Sequence, residues 1–257
     1  MSWNPEQYLK FAGPRLRPAL DLLNRVEAGE PRLICDLGCG AGNVTRLLAE
    51  RWPSARLIGV DSSPEMLERA KAVLPSAQWV VADLGSWQPP APVDVIFSNA
   101  ALHWLDDHRS LFRRLLGLLA PGGVLAVQMP RNFQAPSHLC MHEAAVAGPW
   151  ADRLRAHLRP SPVGDPAFYW DLLAETRPDI WEIEYQHALE GEDAVVQWTL
   201  GTALKPLLDA LDEPWRSGFL DEYRRRIAAA YPRRADGVTL FAFRRLFIVS
   251  RAAAAAP

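Results

Sequence analysis

The chain has 257 residues, 49% hydrophobic and 23% charged, the balance of a soluble globular enzyme with room for one large core. Its 28 basic and 30 acidic side chains leave a net charge of −2, which argues against a nucleic-acid binder that relies on a broad basic field. No apolar run approaches the ~18 residues of a membrane span, residues 1–10 have no leader-like apolar segment, and the cysteines, Cys35, Cys39 and Cys140, fit a reducing cytoplasm without a zinc site.

Residues 3–11 are rich in aromatics, Tyr8 and Phe11 among them, and such an arm can close over a site. Pro14 and Pro18 punctuate the start of a helix over 15–26, with Leu16, Ala19, Leu20 and Leu23 at helical spacing on one face. Residues 1–30 are therefore expected to form an N-terminal helical arm. A short apolar strand over 33–36 then runs into Gly38, Gly40 and Gly42 at every second position. That spacing lets the backbone turn tightly and leaves room for a ligand where a Cβ would collide. A helix over 43–51 points its N-terminal N–H groups at the same place. The next strand, 57–60, ends at Asp61, about 20 residues beyond the last glycine, where a carboxylate can accept both hydroxyls of a ribose.

Ser62-Ser63-Pro64-Glu65 starts a helix to about 74 with a capping hydroxyl, a proline at the first helical position and an acid in the first turn. A third strand, 78–81, leads to Asp83 and Leu84. A fourth, 93–97, leads to Ser98-Asn99-Ala100. A helix over 110–119 and the Pro121-Gly122-Gly123 turn precede a fifth strand, 124–129. Strands that alternate with helices specify an α/β fold, a parallel sheet with helices on both faces. Ligands of such sheets lie outside the carboxyl ends of the strands. Those ends are 36–42, Asp61, Asp83, 99–104 and 130–132.

Past Pro130 the pattern changes. A helix over 138–147, a strand over 181–185, two helices within 193–230 broken at Pro206 and Pro214, and a strand over 245–250 are expected. The organisation is thus one domain, 1–257, with a nucleoside-binding core at 31–135 and a helical cap insertion at 190–240.

The Gly-x-Gly-x-Gly spacing, with Asp36 two residues ahead of it and Asp61 and Asp83 after the next two strands, resembles class I S-adenosylmethionine-dependent methyltransferases. The words Trp-Asn-Pro-Glu-Gln-Tyr at 3–8, Val-Gln-Met-Pro at 127–130 and Arg-Leu-Phe-Ile-Val at 245–249 narrow the resemblance to the trans-aconitate 2-methyltransferase family, over nearly the whole chain. The resemblance implies a Rossmann-like seven-stranded, mostly parallel sheet with the last strand antiparallel, plus the helical cap. It implies S-adenosylmethionine as cofactor, S-adenosylhomocysteine as product and esterification of a small polycarboxylate. The loop Gly38, Gly40, Gly42 with Asp36 beneath it, Asp61 with Ser62, Asp83 with Leu84, and Asn99 with Ala100 are then the cofactor contacts. Tyr8, His103, Trp104, Arg131, Tyr169, Lys205 and Arg245 are candidates for the acceptor pocket. No metal, nucleic acid or membrane is expected, and the protein should be a monomer or weak homo-oligomer.

Three positions depart from the family's usual words. His103 stands where a glutamine precedes Trp104, Lys205 where an arginine precedes Pro206, and Arg131 where an aspartate follows Pro130. Lysine does not reproduce arginine's bidentate grip on a carboxylate. Another acceptor (a malonyl-carrier-protein carboxylate, a phenol or an amine) and a non-catalytic donor-binding module stay open on the sequence alone. A carboxylate is already ionised at pH 7, so its methylation requires alignment rather than a base; a phenol benefits from one, and His103 is placed to serve.

Overall fold

Residues 12–158 and 160–254 are described by the computed structural model; Tyr8 and the rest of the aromatic arm at 3–11 lie outside them. Helix α1 spans Ala12–Leu23, earlier than expected, with Pro18 inside it. It stops because the chain tightens to bonds from Arg25 N–H to the Leu22 carbonyl and from Val26 N–H to the Leu23 carbonyl. Val26 is nevertheless fully buried, which is why its apolar side chain reads as a further helical position.

Strand β1 (Leu33–Leu37) is buried along its length, as a central parallel strand must be. It is followed by α2 (Asn43–Arg51), β2 (Arg56–Asp61), α3 (Pro64–Val73), β3 (Gln78–Val81), β4 (Val93–Asn99), α4 (His108–Gly117) and β5 (Leu119–Pro130). Beyond these come α5 (Pro136–Ala147), α6 (Ala151–Leu154), α7 (Pro166–Leu172), β6 (Asp179–Glu190), α8 (Ala194–Leu200), α9 (Lys205–Asp209), α10 (Trp215–Ala230) and β7 (Val238–Arg251).

The strands form one seven-stranded sheet in the order β3-β2-β1-β4-β5-β7-β6. β1 pairs in parallel with β2 and β4, β2 with β3, and β4 with β5. β7 runs antiparallel to β5, with Arg245 opposite Pro130 and Phe247 opposite Gln128. The expected strand count, the parallel core and the reversed last strand are all present. Strand order reverses between β1 and β4, so the crevice beyond their carboxyl ends is the topological switch point where ligands of such sheets sit.

Several elements differ from the expected ranges, β5 and β7 both starting earlier than 124 and 245, and two differences have identifiable reasons. β6 runs well past the expected 181–185: Tyr185, His187 and Leu189 are buried and Glu184, Gln186 and Glu190 exposed, a period of two hidden by a histidine on the inner face. The segment 193–230 holds three helices rather than two, because Pro206 opens the short α9 at its second residue instead of breaking a longer helix.

The chain divides into two compact units. The sheet unit takes Arg15–Pro130, Pro162–Glu182 and the chain from Arg245; the helical unit includes Arg131–Ser161 and Ile183–Arg244. The helical unit reaches beyond the 190–240 insertion because α5 belongs to its core. Met141 and Ala144 of α5 join Trp198, Leu207, Phe219, Tyr223 and Phe241 in one buried cluster. The Tyr223 hydroxyl donates to the Ser137 carbonyl at 3.2 Å, and Ser137 N–H donates to the Tyr231 hydroxyl at 3.2 Å. Among the described residues no helix is long and apolar enough to cross a membrane.

Candidate functional site

The turn between β1 and α2 takes its shape from glycine. Gly38 has φ +74° and Gly42 φ +78°, a region that costs an L-residue roughly 1–2 kcal/mol. Space is as restrictive as conformation. A Cβ on Gly38 would lie 2.1 Å from the Ala101 Cβ, and one on Gly42 would lie 2.9 Å from the Trp79 ring. The turn therefore packs directly under the segment that leaves β4. Gly40, between them, is also left-handed and gives its N–H to Asp61.

Asp61 ties the turn to the end of β2. One carboxylate oxygen accepts the Gly40 N–H at 2.9 Å and the other the Ser63 N–H at 2.9 Å. Each oxygen keeps a further lone pair, so the carboxylate can still accept from a ligand hydroxyl. Ser63 also caps α3, its hydroxyl accepting Met66 N–H at 3.3 Å. Ser62 is exposed, and the serine that holds the Asp61 carboxylate is Ser63.

Asp36 is 1% exposed and lies under the turn. The Thr45 hydroxyl donates to it at 2.6 Å. Burial pushes its carboxyl up to about 7, the Thr45 bond pulls it down, and the charge of Asp61 raises it. The native state thus holds this proton more tightly than the unfolded chain, where the group titrates near 4. The stability this contributes is complete below pH 4 and is lost as pH rises through about 7, up to roughly 4 kcal/mol in all. Urea unfolding at pH 5 and pH 8 should show the fall in the wild type and a flatter profile in Asp36→Asn, whose amide oxygen can still accept from Thr45.

Burial likewise pushes the Cys35 thiol up to about 12 and raises that of Cys39. Neither is a nucleophile at neutral pH.

Asp83 follows β3, is exposed, and accepts the Gly85 N–H at 2.7 Å. Leu84 is half-buried, its side chain 3.5 Å from where a Gly38 Cβ would be. The Arg114 guanidinium donates to the Leu84 and Trp87 carbonyls, which anchors this loop to α4. Asn99 ends β4. Its Oδ1 is buried and has no hydrogen-bond partner among the described residues, a group that requires a donor from elsewhere. Ala100 has φ +54°, strained for a residue with a Cβ, and its N–H donates to the Gln128 carbonyl at 2.9 Å. A single turn, Leu102–Trp104, follows. His103 is half-buried, and Trp104 is 45% exposed with its ring 4.8 Å from that of His103.

Asp36, Gly38, Gly40, Gly42, Asp61, Leu84, Asn99 and Ala100 thus line the carboxyl ends of neighbouring strands. Arg245 is in the same unit, 4% exposed, its Nη1 3.5 Å from the Gln128 Oε1. Arg244 points away, exposed, with Glu184 at 3.6 Å. Gln128, part of the Val-Gln-Met-Pro word, is not among the site candidates because it sits inside an apolar strand. Its register pairing with Asn99 puts both on one sheet face, and its Nε2 has no partner among the described residues.

Tyr169 is not a pocket wall. It is fully buried, packs on Phe112 and Phe168, and its hydroxyl meets His108 Nδ1 at 2.5 Å. Tyr169 is a candidate for the acceptor pocket on the sequence, yet α7 turns it inward and leaves Trp170 51% exposed.

Arg131 and Lys205 belong to the helical unit. Arg131 is half-buried, with its N–H on the Arg244 carbonyl at 2.9 Å. Lys205 starts α9 and holds Asp209 at 2.7 Å. Asn132 is structural: buried, it accepts the Arg244 N–H at 3.2 Å.

Comparison with known proteins places the chain among methyltransferases. Residues 34–123 match a family described as a methyltransferase domain. The chain is similar to the trans-aconitate 2-methyltransferase of an Azoarcus species, with 49% identity over 97% of this chain and 98% of that one. It is also similar to that of Methylobacterium radiotolerans, with 48% identity over 98% of each. In fold it resembles the YcgJ protein from Bacillus subtilis, at a TM-score of 0.58 and 16% identity over 92% of this chain and 99% of that one. An S-adenosylmethionine-dependent methyltransferase from Mesorhizobium loti aligns at a TM-score of 0.52 and 24% identity over 94% of this chain and 99% of that one.

Proposed function

The chain belongs to the trans-aconitate 2-methyltransferase family, and from that premise we propose that it transfers the methyl group of S-adenosylmethionine to a carboxylate oxygen of trans-aconitate, forming the methyl ester. The observation that carries this reading is near full-length identity of 49% with a relative so named. The enzyme class and the cofactor follow from the family. Action as a monomer or weak homo-oligomer in the cytoplasm, on a small carboxylate and without nucleic acid, is part of the same proposal.

The sheet unit's residues fit the donor. The glycines leave a surface free of Cβ atoms, their own N–H groups being donated to the Val60 carbonyl, Asp61 and the Cys39 carbonyl, and the N-terminus of α2 supplies backbone N–H groups. Asp61 is assigned the ribose hydroxyls, on its two spare lone pairs. Asp83 and Leu84 are assigned the adenine. Asn99 Oδ1 and the Ala100 backbone are assigned the methionine end, on the orphaned acceptor. S-adenosylmethionine supplies a methyl carbon on a positively charged sulfur; a carboxylate oxygen takes the carbon, the bonding pair stays with sulfur, and S-adenosylhomocysteine is left. The acceptor is ionised near pH 7 without help, because a carboxylic acid has a pKa near 4. The protein's contribution is therefore alignment and exclusion of water, and alignment alone can supply about 7–11 kcal/mol.

His103, Trp104, Arg131, Lys205 and Arg245 are assigned to the acceptor, the cations to its carboxylates. Tyr8 stays with the arm as part of the proposal. Lys205 already holds Asp209, so a substrate carboxylate must share or replace that partner. Lys205→Ala should raise the trans-aconitate KM about tenfold, the equivalent of one charge-assisted bond, and leave donor affinity unchanged. If neither parameter moves, Lys205 is only a partner for Asp209.

The function itself is tested by incubating the enzyme with labelled S-adenosylmethionine and a panel of di- and tricarboxylates, phenols and amines, with mass spectrometry of the products. A labelled ester of trans-aconitate in preference to the other acids is the expected result. Label confined to a phenol or an amine would remove the assignment.

A further inference from the structure

A chain of four hydrogen bonds runs through the buried interior of the sheet unit and ends on the turn that carries His103 and Trp104. Gly164 N–H donates to the Tyr169 hydroxyl at 3.3 Å. The Tyr169 hydroxyl meets His108 Nδ1 at 2.5 Å. His108 Nε2 meets the Leu102 carbonyl at 3.1 Å, and that carbonyl also accepts Leu105 N–H at 3.0 Å. Tyr169 is 0% and His108 3% exposed.

The partners fix the direction of every bond. A carbonyl only accepts, so His108 Nε2 carries the hydrogen. Burial holds His108 below the usual imidazole range, so a second proton is disfavoured and Nδ1 is a bare acceptor. The Tyr169 hydroxyl then donates to Nδ1 and accepts from Gly164. No donor in the chain lacks an acceptor, and the imidazole has one tautomer. A phenylalanine and a leucine would fill the same space among Phe112 and Phe168 at no desolvation cost. A directed polar chain buried there instead specifies one geometry, and its end point is Leu102, which is itself fully buried.

We propose that Tyr169 and His108 are positioning residues for the acceptor side of the reaction, holding the Leu102–Trp104 turn so that His103 and Trp104 face the methyl acceptor in a single orientation. The inference rests on the assignment of His103 and Trp104 to the acceptor. Trp104, 45% exposed next to His103, presents a large ring at the surface beside the end of β4. Gly38 anchors the other side of the same segment through Ala101. The turn is therefore pinned from the donor loop and from the His108 chain at once, which is the supporting arrangement that alignment-driven catalysis requires.

Tyr169→Phe removes one hydroxyl and keeps the ring. It should lower kcat/KM for trans-aconitate about tenfold, mostly through KM, with the S-adenosylmethionine Kd unchanged within twofold. Amide exchange at Leu105 should quicken about tenfold, and the Nδ1 resonance of 15N-labelled His108 should move. His108→Gln, whose amide can still donate toward Leu102, should retain more acceptor affinity than His108→Leu. Phe112→Leu, in the same cluster but apolar, should lower the melting temperature without changing Leu105 exchange or the split between KM and Kd. Unchanged Leu105 exchange and unchanged kcat/KM in Tyr169→Phe would overturn the proposal, as would equal loss of donor and acceptor affinity. If the wild type fails to methylate trans-aconitate, it is the functional reading that falls. The exchange and histidine spectra then still decide whether the chain holds the turn.

Discussion

Asp61→Ala is expected to weaken S-adenosylmethionine binding about a hundredfold. The carboxylate has two jobs at once. It is assigned two ribose hydroxyls, each a charge-assisted bond worth about 1.5–3 kcal/mol. It also holds the Gly40 and Ser63 N–H groups, so its removal loosens the turn that presents the donor's other contacts. A loss of about 3 kcal/mol is a factor of a hundred or more in Kd. The melting temperature should fall by several degrees as well, since two backbone donors lose their acceptor. Asp61→Asn, which keeps one carbonyl oxygen, should fall between wild type and alanine. Calorimetric titration with donor and a thermal melt separate the two effects. Donor binding unchanged in a folded Asp61→Ala would remove the ribose assignment while leaving Asp61 its structural bonds.

Gly38→Ala should be the most damaging single methyl addition in the turn. The new Cβ would meet the Ala101 Cβ at 2.1 Å from a backbone at φ +74°. The conformational cost is about 1–2 kcal/mol and overpacking costs typically about 1–3 kcal/mol more. About 3–4 kcal/mol of stability should be lost in urea unfolding. Because Ala101 is the neighbour that must move, donor and acceptor affinities should both suffer. Gly29→Ala is the matched control: nothing lies within 4 Å of its added Cβ, and its stability should change by less than about 0.5 kcal/mol.

The glycine turn assigned to the donor is legible because its physics is local in sequence. Three glycines at alternate positions, an acid at the end of the next strand and a Ser-Pro helix start lie within one strand-turn-helix-strand unit, and the structure closes them with bonds between near neighbours such as Gly40 and Asp61. The parts that escaped are those that depend on distant pairing. Nothing around Gln128 in an apolar strand announces that it lies beside Asn99 and Arg245; only the β4–β5–β7 register does that. His108 lies ahead of the helix expected over 110–119, and its partner appears only when Tyr169, 61 residues on, supplies its hydroxyl. The burial of Tyr169 has the same distant origin: aromatic composition locates a cluster but does not tell which ring α7 turns inward. The strand expected over 181–185 stops short of β6 because His187 interrupts the apolar alternation, although the inner face is aromatic there, with Trp198 at 4.7 Å ring to ring.

The most direct measurement is product analysis after incubation of the enzyme with S-adenosylmethionine carrying a deuterated methyl group and trans-aconitate as sole acceptor. The expected result is a deuteromethyl ester of trans-aconitate with S-adenosylhomocysteine formed in equal amount, and little of either from Asp61→Ala at donor concentrations near the wild-type Kd. Tight donor binding with no ester, from an enzyme whose turn and sheet are intact, would contradict it.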